Sequence, residues 1–193
     1  MKKILLILIL ILSFQSWTNA DDVRDFEIEG MSIGDSLLNY FSVEEMKSLS
    51  KTEYKSKKYA RIILRSSNLD IYDDIDFYFK TNDKKYSMKA VVGGLYYEDL
   101  DECFNKKNQI VDEIKALFNN TKIEEKEMIH QADLSGKSVE YKVEFEFNSG
   151  SLVKVSCMDW SDEITKKNNW ADHLKVGVYD IQFIKWLMYE AFE

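Results

Sequence analysis

The sequence predicts an α+β fold made of antiparallel β-meanders with helices packed on one face. Two observations support this class: runs that alternate polar and apolar residues follow one another across short turns, and a strongly amphipathic helix interrupts them midway. Strands joined by short hairpins pair antiparallel. The elements form two tandem helix-plus-sheet units, residues 21–97 and 98–193, which we expect to pack as one domain.

The first twenty residues have the pattern of a secretory signal peptide. Lys2 and Lys3 precede the apolar run Ile4–Leu12, and small residues at positions −3 and −1 place the cut after Ala20. The run is shorter than the about 20 residues a spanning helix needs; an uncleaved anchor is the alternative. No Pro, few Gly and abundant Lys, Asn and Ile suggest an AT-rich bacterial genome. The predicted location is therefore periplasmic or secreted.

The charge balance excludes two classes of partner. The chain has 26 basic and 34 acidic residues, and because the leader carries two Lys and no acid, the mature chain has a net charge of −10. Such an excess repels phosphate backbones and anionic lipid surfaces. We therefore expect neither nucleic acid nor a membrane surface as partner, and no membrane span after cleavage.

The first unit begins with an alternating stretch, residues 21–29, that predicts an edge strand. Residues 34–50 predict a helix or a bent pair of helical turns, since Ser42 and Glu45 form a capping box. Three period-two strands follow at residues 59–65, 74–80 and 86–92, with Thr81–Lys84 as the turn between the last two.

The second unit begins with the amphipathic helix, about Asp99 to Asn119, whose apolar residues recur every three or four positions. Four strands are expected: a weakly patterned one at 121–131, then 141–147, 153–157 and 174–178. A polar loop, residues 161–169, precedes the last strand, and a final helix runs from residue 180 or 181 to Phe192.

The chain has two cysteines, Cys103 and Cys157, and an even pair in an exported protein predicts a disulfide. Cys103 lies on the apolar stripe of the central helix and Cys157 on the apolar side of its strand. The bond would join helix to sheet. Two buried free thiols are the alternative.

The tetrapeptide Gly34-Asp35-Ser36-Leu37 matches the block that names a large hydrolase family with a Ser nucleophile. That family also uses later oxyanion residues and an Asp-x-x-His block. Here neither His130 nor His173 has an Asp three residues before it. A Ser without a placed base is not activated, so we interpret Ser36 as a helix-opening residue and assign no catalytic residue.

Metal sites are not indicated. Asp70, Asp73, Asp74 and Asp76 are close in sequence, but no calcium-binding loop with Gly at its sixth position surrounds them. We expect a solvated strand edge there, with no metal and no cofactor.

The best candidate binding surface is aromatic. Trp160 and Trp170 bracket the polar loop, and Tyr96 and Tyr97 end the third strand. Exposed Trp and Tyr are favoured anchors at interfaces. The alternative is that both Trp only cover the ends of the core.

The lead Ile28, Gly30, Met31 and Ser32, followed by a short helix and a β-meander, resembles the small periplasmic domains shared by BamE-like lipoproteins and β-lactamase-inhibitor proteins. The chain departs from them in lacking the lipobox Cys, the Leu-Gly-x-Pro helix end and a second Gly-Met lead. The resemblance implies a protein-binding scaffold without catalysis.

Together these features predict an exported, non-enzymatic binding or envelope-interaction module with an unknown envelope or secreted protein as partner. A small-ligand carrier using the aromatic residues, or a serine hydrolase using Ser36, are the alternatives.

Overall fold

The computed structural model describes residues 22–66 and 68–191, so the predicted leader lies outside the described residues. The strands are β1 (Ser50–Glu53), β2 (Tyr59–Arg65), β3 (Asp74–Lys80), β4 (Met88–Tyr96), β5 (Lys122–Ile129), β6 (Val139–Glu146), β7 (Leu152–Asp159) and β8 (His173–Tyr179). The helices are α1 (Val43–Ser48), α2 (Leu100–Leu117), α3 (Asp162–Asn168) and α4 (Ile181–Tyr189).

All eight strands belong to one antiparallel sheet in the order β1-β2-β3-β4-β8-β7-β6-β5. Each half of the chain supplies one meander, and the two meanders join where β4 pairs with β8, from Ala90 opposite Tyr179 to Tyr96 opposite His173. The predicted α+β class with antiparallel meanders is confirmed. Both predicted units contribute to the same sheet.

Helices α2 and α4 lie on opposite faces of the sheet, which differs from the prediction that the helices share one face. On the face covered by α2, the α2 face, the core includes Phe77, Val155 and Val176. On the opposite face, α4 packs Phe183 and Trp186 against a smaller apolar patch. The cause is local: β8 ends on that patch with Tyr179, and Asp180 caps α4 immediately afterwards.

The predicted disulfide is present. The sulfur atoms of Cys103 on α2 and Cys157 on β7 lie 2.01 Å apart, and both residues are fully buried. In the chain-entropy model, closing a loop of 54 residues stabilises the fold by about 4 kcal/mol. The bond joins the central helix to the α2 face of the sheet, as the two apolar patterns indicated.

The amino-terminal segment differs from its prediction. The stretch predicted as an edge strand instead forms a 3-10 turn at Val23–Asp25 and a tight turn in which Ile28 bridges Met31. Glu29 and Gly30 have φ angles of 51° and 72° at that turn, a left-handed conformation that a strand does not contain. The predicted capping box is confirmed, since Ser42 and Glu45 exchange both bonds at the start of α1.

Two further elements, β1 and α3, were not predicted from the sequence. The strand β1 starts at Ser50, where the predicted helical region ended, and all four of its residues are exposed. The predicted polar loop at 161–169 contains α3, which Ser161 caps at its start and the left-handed Asn169 ends. The final helix stops at Tyr189; its predicted end, Phe192, lies outside the described residues.

Candidate functional site

Beyond α4, the sheet face opposite α2 is covered by charged and polar side chains; we call it the polar face. Strand pairing places its members side by side on five strands, β2, β3, β6, β7 and β8. Its main members are Arg61, Arg65, Asp74, Asp76, Glu140, Lys142, Glu144, Lys154, Ser156, His173 and Lys175.

Ion pairs cross this face between neighbouring strands. Arg61 donates to Asp76 at 2.7 Å, and Lys154 donates to Glu140 at 2.9 Å. Burial alone would raise the pKa of Glu140, but the Lys154 ammonium outweighs it and lowers the pKa to about 2. Burial raises the pKa of Asp76 even though the Arg61 charge opposes the shift.

Lys175 differs from these cations because it forms no ion pair within 4.0 Å with any residue in the described ranges. It lies on the central strand β8, opposite Gly94 on β4 and Ser156 on β7. Burial lowers the pKa of its ammonium; the Asp76 carboxylate opposes this shift, while the nearby Lys154 and Arg61 charges add to it. The centre of the polar face therefore carries one cation that is not neutralised by direct contact.

Two glycines on the central strands let large side chains lie across this face. A Cβ at Gly94 would stand 2.4 Å from Oδ1 of Asp74, and one at Gly177 would stand 2.5 Å from the hydroxyl of Tyr179. Such distances are incompatible with any larger residue at these positions. The space above the glycines is filled, so the face is a packed polar layer.

At one end of this layer, five aromatic side chains form a cluster that we call the aromatic corner: Tyr96, His130, Trp160, Trp170 and His173. The ring of Trp160 is central, with centroid distances of 4.6 Å to His130, 4.6 Å to Trp170 and 6.4 Å to His173. The ring of Tyr96 contacts the cluster through His173, at a centroid distance of 5.8 Å. Trp170 is the outer ring and is 40% exposed.

Hydrogen bonds fix the backbone on both sides of Trp160. The backbone N–H of Trp160 donates to the carboxylate of Asp172 at 2.7 Å. The hydroxyl of the next residue, Ser161, donates to the carboxylate of Asp133 at 2.8 Å. Asp133 lies in the turn between β5 and β6 and also accepts from the Ser138 hydroxyl at 2.6 Å. These donors hold the pKa of Asp133 well below its usual range. A charged acceptor therefore ties this turn to the start of α3.

His173 contributes a buried acceptor to the corner. Its Nδ1 lies 2.7 Å from the carbonyl oxygen of Ala171, so Nδ1 must carry the proton and donate it. Burial, with a smaller contribution from Lys175, lowers the pKa of His173 to about 4, so the ring is neutral at pH 7 and Nε2 is an unprotonated acceptor. That Nε2 has no hydrogen-bond partner in the part of the chain that the structure describes.

Other buried polar atoms on the same face also lack a partner among residues 22–66 and 68–191. They include Tyr59 Oη, Arg61 Nε, Asp76 Oδ1 and Trp160 Nε1. Buried polar groups in native proteins are usually satisfied, by water where protein atoms do not reach.

The structure brings together three of the four aromatic residues in the predicted binding surface. Tyr96, Trp160 and Trp170 lie in the aromatic corner, whereas Tyr97 packs against the core of the α2 face. Successive strand residues point to opposite faces, which separates Tyr97 from Tyr96. His130 and His173 also belong to the corner, although neither was predicted as a binding residue. The signal for them was alternation, because each lies two residues along the chain from a residue of the polar face, Met128 or Lys175.

The hydroxyl of Ser36 is used in structure. It donates to the carbonyl oxygen of Lys85 and accepts from the N–H of Leu38 at 3.1 Å, capping a 3-10 turn. Ser36 bridges Ser87 beside the first residue of β4, while His173 pairs with the last residue of that strand. The strand separates the two by roughly 30 Å, so His173 is out of reach as a base for Ser36.

Three of the four acidic residues near β3 bind protein groups, and the predicted solvated strand edge is wrong because Asp74 and Asp76 are buried on an inner strand. Asp73 accepts from the backbone N–H of Tyr96 at 2.9 Å and Asp74 from its hydroxyl at 2.7 Å, while Asp76 pairs with Arg61. Within the described ranges, no group of three or more His, Cys, Asp or Glu side chains is placed to hold a metal ion.

Two shallow concavities lie away from the aromatic corner. One is bordered by Lys107, Glu127 and Tyr141, and the other by Leu152, Ile181 and Ile184. Among the described residues, no helix is both long and apolar enough to cross a bilayer. Comparisons with protein-family models, curated proteins and solved structures yield no significant match to the chain.

Proposed function

We propose that this protein is an exported, non-enzymatic interaction module that contacts an envelope or secreted protein through the aromatic corner. The observation that carries the proposal is the pairing of Trp160 with Trp170, whose outer ring is 40% exposed on a base fixed by hydrogen bonds. A large aromatic side chain held in place loses little entropy on binding, which is why Trp dominates interface hot spots.

The surroundings of the corner favour a macromolecular partner over a small molecule. The space above the central glycines is filled, and the two concavities described above lie elsewhere. Small-ligand sites are concave and bury most of the ligand. Interfaces between proteins instead combine an apolar centre with a polar rim, as Trp170 does with the polar layer beside it.

The two alternatives have less support. A carrier of small molecules would need a cavity at the corner, and a hydrolase would need a base beside Ser36, whose hydroxyl is engaged in capping. The leader, on which export depends, stays a prediction from the sequence.

The test is site-specific photo-cross-linking in the producing cell. A photoreactive side chain replaces Lys167, an exposed residue of α3 close to Trp170 in sequence. We expect one envelope or secreted protein to be captured, and Trp170→Ala to reduce its yield about tenfold, the effect of losing a hot-spot residue. Met188→Ala is the matched control, because Met188 is an apolar residue 66% exposed on α4. Equal capture by wild type and Trp170→Ala would contradict the proposal.

A further inference from the structure

The two edges of the sheet are built differently. The outer strand β1 has four residues, all exposed and polar, and Lys51 pairs with Glu53 along it at 2.8 Å. Short, charged edges of this kind discourage pairing with another chain. The other edge, β5, is twice as long at eight residues, and it also contains apolar residues. The β1 edge is therefore protected against pairing with another chain, whereas the β5 edge is open to it.

Exposed apolar side chains lie along and beside β5. Ile123, Met128 and Ile129 of the strand are 45%, 42% and 63% exposed. Leu117 at the end of α2 is 57% exposed, and Leu134 in the turn after β5 is fully exposed. Exposed apolar groups gathered along one edge mark a contact surface.

The pairing with β6 assigns each β5 side chain to a face. Ile123 stands opposite the buried Phe145 and Glu125 opposite the buried Val143, so both lie on the α2 face. By alternation, Glu127 and Ile129 lie there too. The α2 side of this edge therefore presents an apolar residue, two carboxylates and a second apolar residue in a symmetric row.

This row disfavours a second copy of the chain as the occupant. Two β5 strands from two copies can pair antiparallel with their α2 faces on the same side in two long registers. In the first register, Ile123 lies opposite Ile129, but Glu125 lies opposite Glu127. In the second register, Glu125 lies opposite Glu125 of the other copy. Like charges directly opposite one another across strands are destabilising, so the carboxylates act against self-pairing.

We propose that the β5 edge docks an extended segment of a partner protein as a ninth strand. An open edge offers alternating N–H and C=O groups, and an extended chain is the partner that satisfies them in turn. Charge complementarity sets its side chains: basic residues opposite Glu125 and Glu127, and apolar residues opposite Ile123 and Ile129. The proposal does not depend on the aromatic corner, although His130 of the corner directly follows Ile129 at the end of β5.

The experiment uses the purified full-length protein and a blocked peptide, Ac-Val-Thr-Lys-Val-Lys-Thr-Val-NH2. Its symmetric pattern presents both lysines to the two glutamates in either strand direction. A control peptide carries Glu in place of both Lys. We expect the Lys peptide to bind and to slow hydrogen exchange at β5 amides, and the Glu peptide to bind at least about fivefold more weakly.

A charge reversal identifies the residues. Glu127→Lys should weaken binding of the Lys peptide by about fivefold and strengthen binding of the Glu peptide. Glu127 is chosen because Glu125 already lies 3.5 Å from Lys107, so its replacement would also disturb the fold. Glu98→Lys, an exposed acid before α2, makes the same charge change away from the edge and should alter neither affinity.

Three results would overturn the proposal: absence of binding by both peptides, equal binding of both, or protection of amides elsewhere than β5. A concentration-dependent dimer in sedimentation that Glu127→Lys strengthens would instead assign the edge to a second copy.

Discussion

Acid should destabilise the protein through His173, a buried ring held neutral by the fold. The ring is 8% exposed, and burial together with Lys175 lowers its pKa from 6.5 to about 4. The unfolded chain therefore binds a proton between these two values that the folded chain does not. Stability is highest above pH 6.5 and falls as the pH drops towards 4, where the effect saturates.

The size of the effect follows from the shift. Between pH 8 and pH 5 the linkage relation gives a loss of about 2 kcal/mol from this one group. The assay is urea unfolding at a series of pH values, followed by Trp fluorescence, with the m-value checked for constancy. Burial also lowers the pKa of His130, so part of the acid sensitivity has a second source.

The variant His173→Asn separates the two sources. The Asn amide N–H donates to the Ala171 carbonyl in place of Nδ1, but the side chain does not titrate. We expect its stability to lose about 2 kcal/mol less than that of wild type over the same pH range. Parallel curves for the two proteins would refute the assignment of a buried, neutral imidazole.

Three further predictions concern stability. Replacing Cys103 and Cys157 together by Ser should lower the free energy of unfolding by about 4 kcal/mol in denaturant titration. The same loss of stability in wild type treated with a reducing agent supports the bond, and an unchanged free energy of unfolding argues against it. Trp186→Ala on α4, a fully buried side chain, should cost about 3–5 kcal/mol, whereas the exposed Met188→Ala should change thermal stability little, and similar losses for both would mean that α4 is not docked. Ser36→Ala should cost about 1 kcal/mol through the lost cap, while esterase turnover abolished by that change would revive the hydrolase alternative.

The elements that the sequence predicted best are those with one buried side. The central helix α2 and strand β6 each carry a regular apolar pattern because one side of each packs in the core. The strand β1 escaped prediction because it is an edge whose residues are all exposed, so no alternation marks it. Strand β5 is weakly patterned for the same reason.

Short helices were harder to recognise. The helix α3 has seven residues and buries only Ile164, too little for an apolar stripe. Its signals were local: Ser161 as cap, acids in the first turn, lysines in the last turn and Asn169 at its end. They describe how a helix starts and stops, and each also occurs in loops, which is why the segment was assigned to a loop.

Part of the aromatic corner could be recognised in the sequence. Trp160 and Trp170 stand out because they are large aromatic residues in a polar stretch, whereas Tyr97, grouped with Tyr96 because the two are adjacent, lies on the other face of the sheet. His130 and His173 join the corner through contacts with the ring of Trp160, which lies 30 and 13 positions away from them in the sequence. Alternation along a strand indicates the face on which a residue lies, but not which distant residues it meets there.

The sequence by itself determined the α+β class, the strands that alternate, the capping box and the disulfide, because each depends on residue spacing and on which side of an element is apolar. The tertiary structure alone decided that both meanders share one sheet, that α4 lies opposite α2, and that β5 is left as an open edge. These features depend on the order in which strands pair across long stretches of chain. That order depends on long-range packing, which residue spacing within one element does not encode.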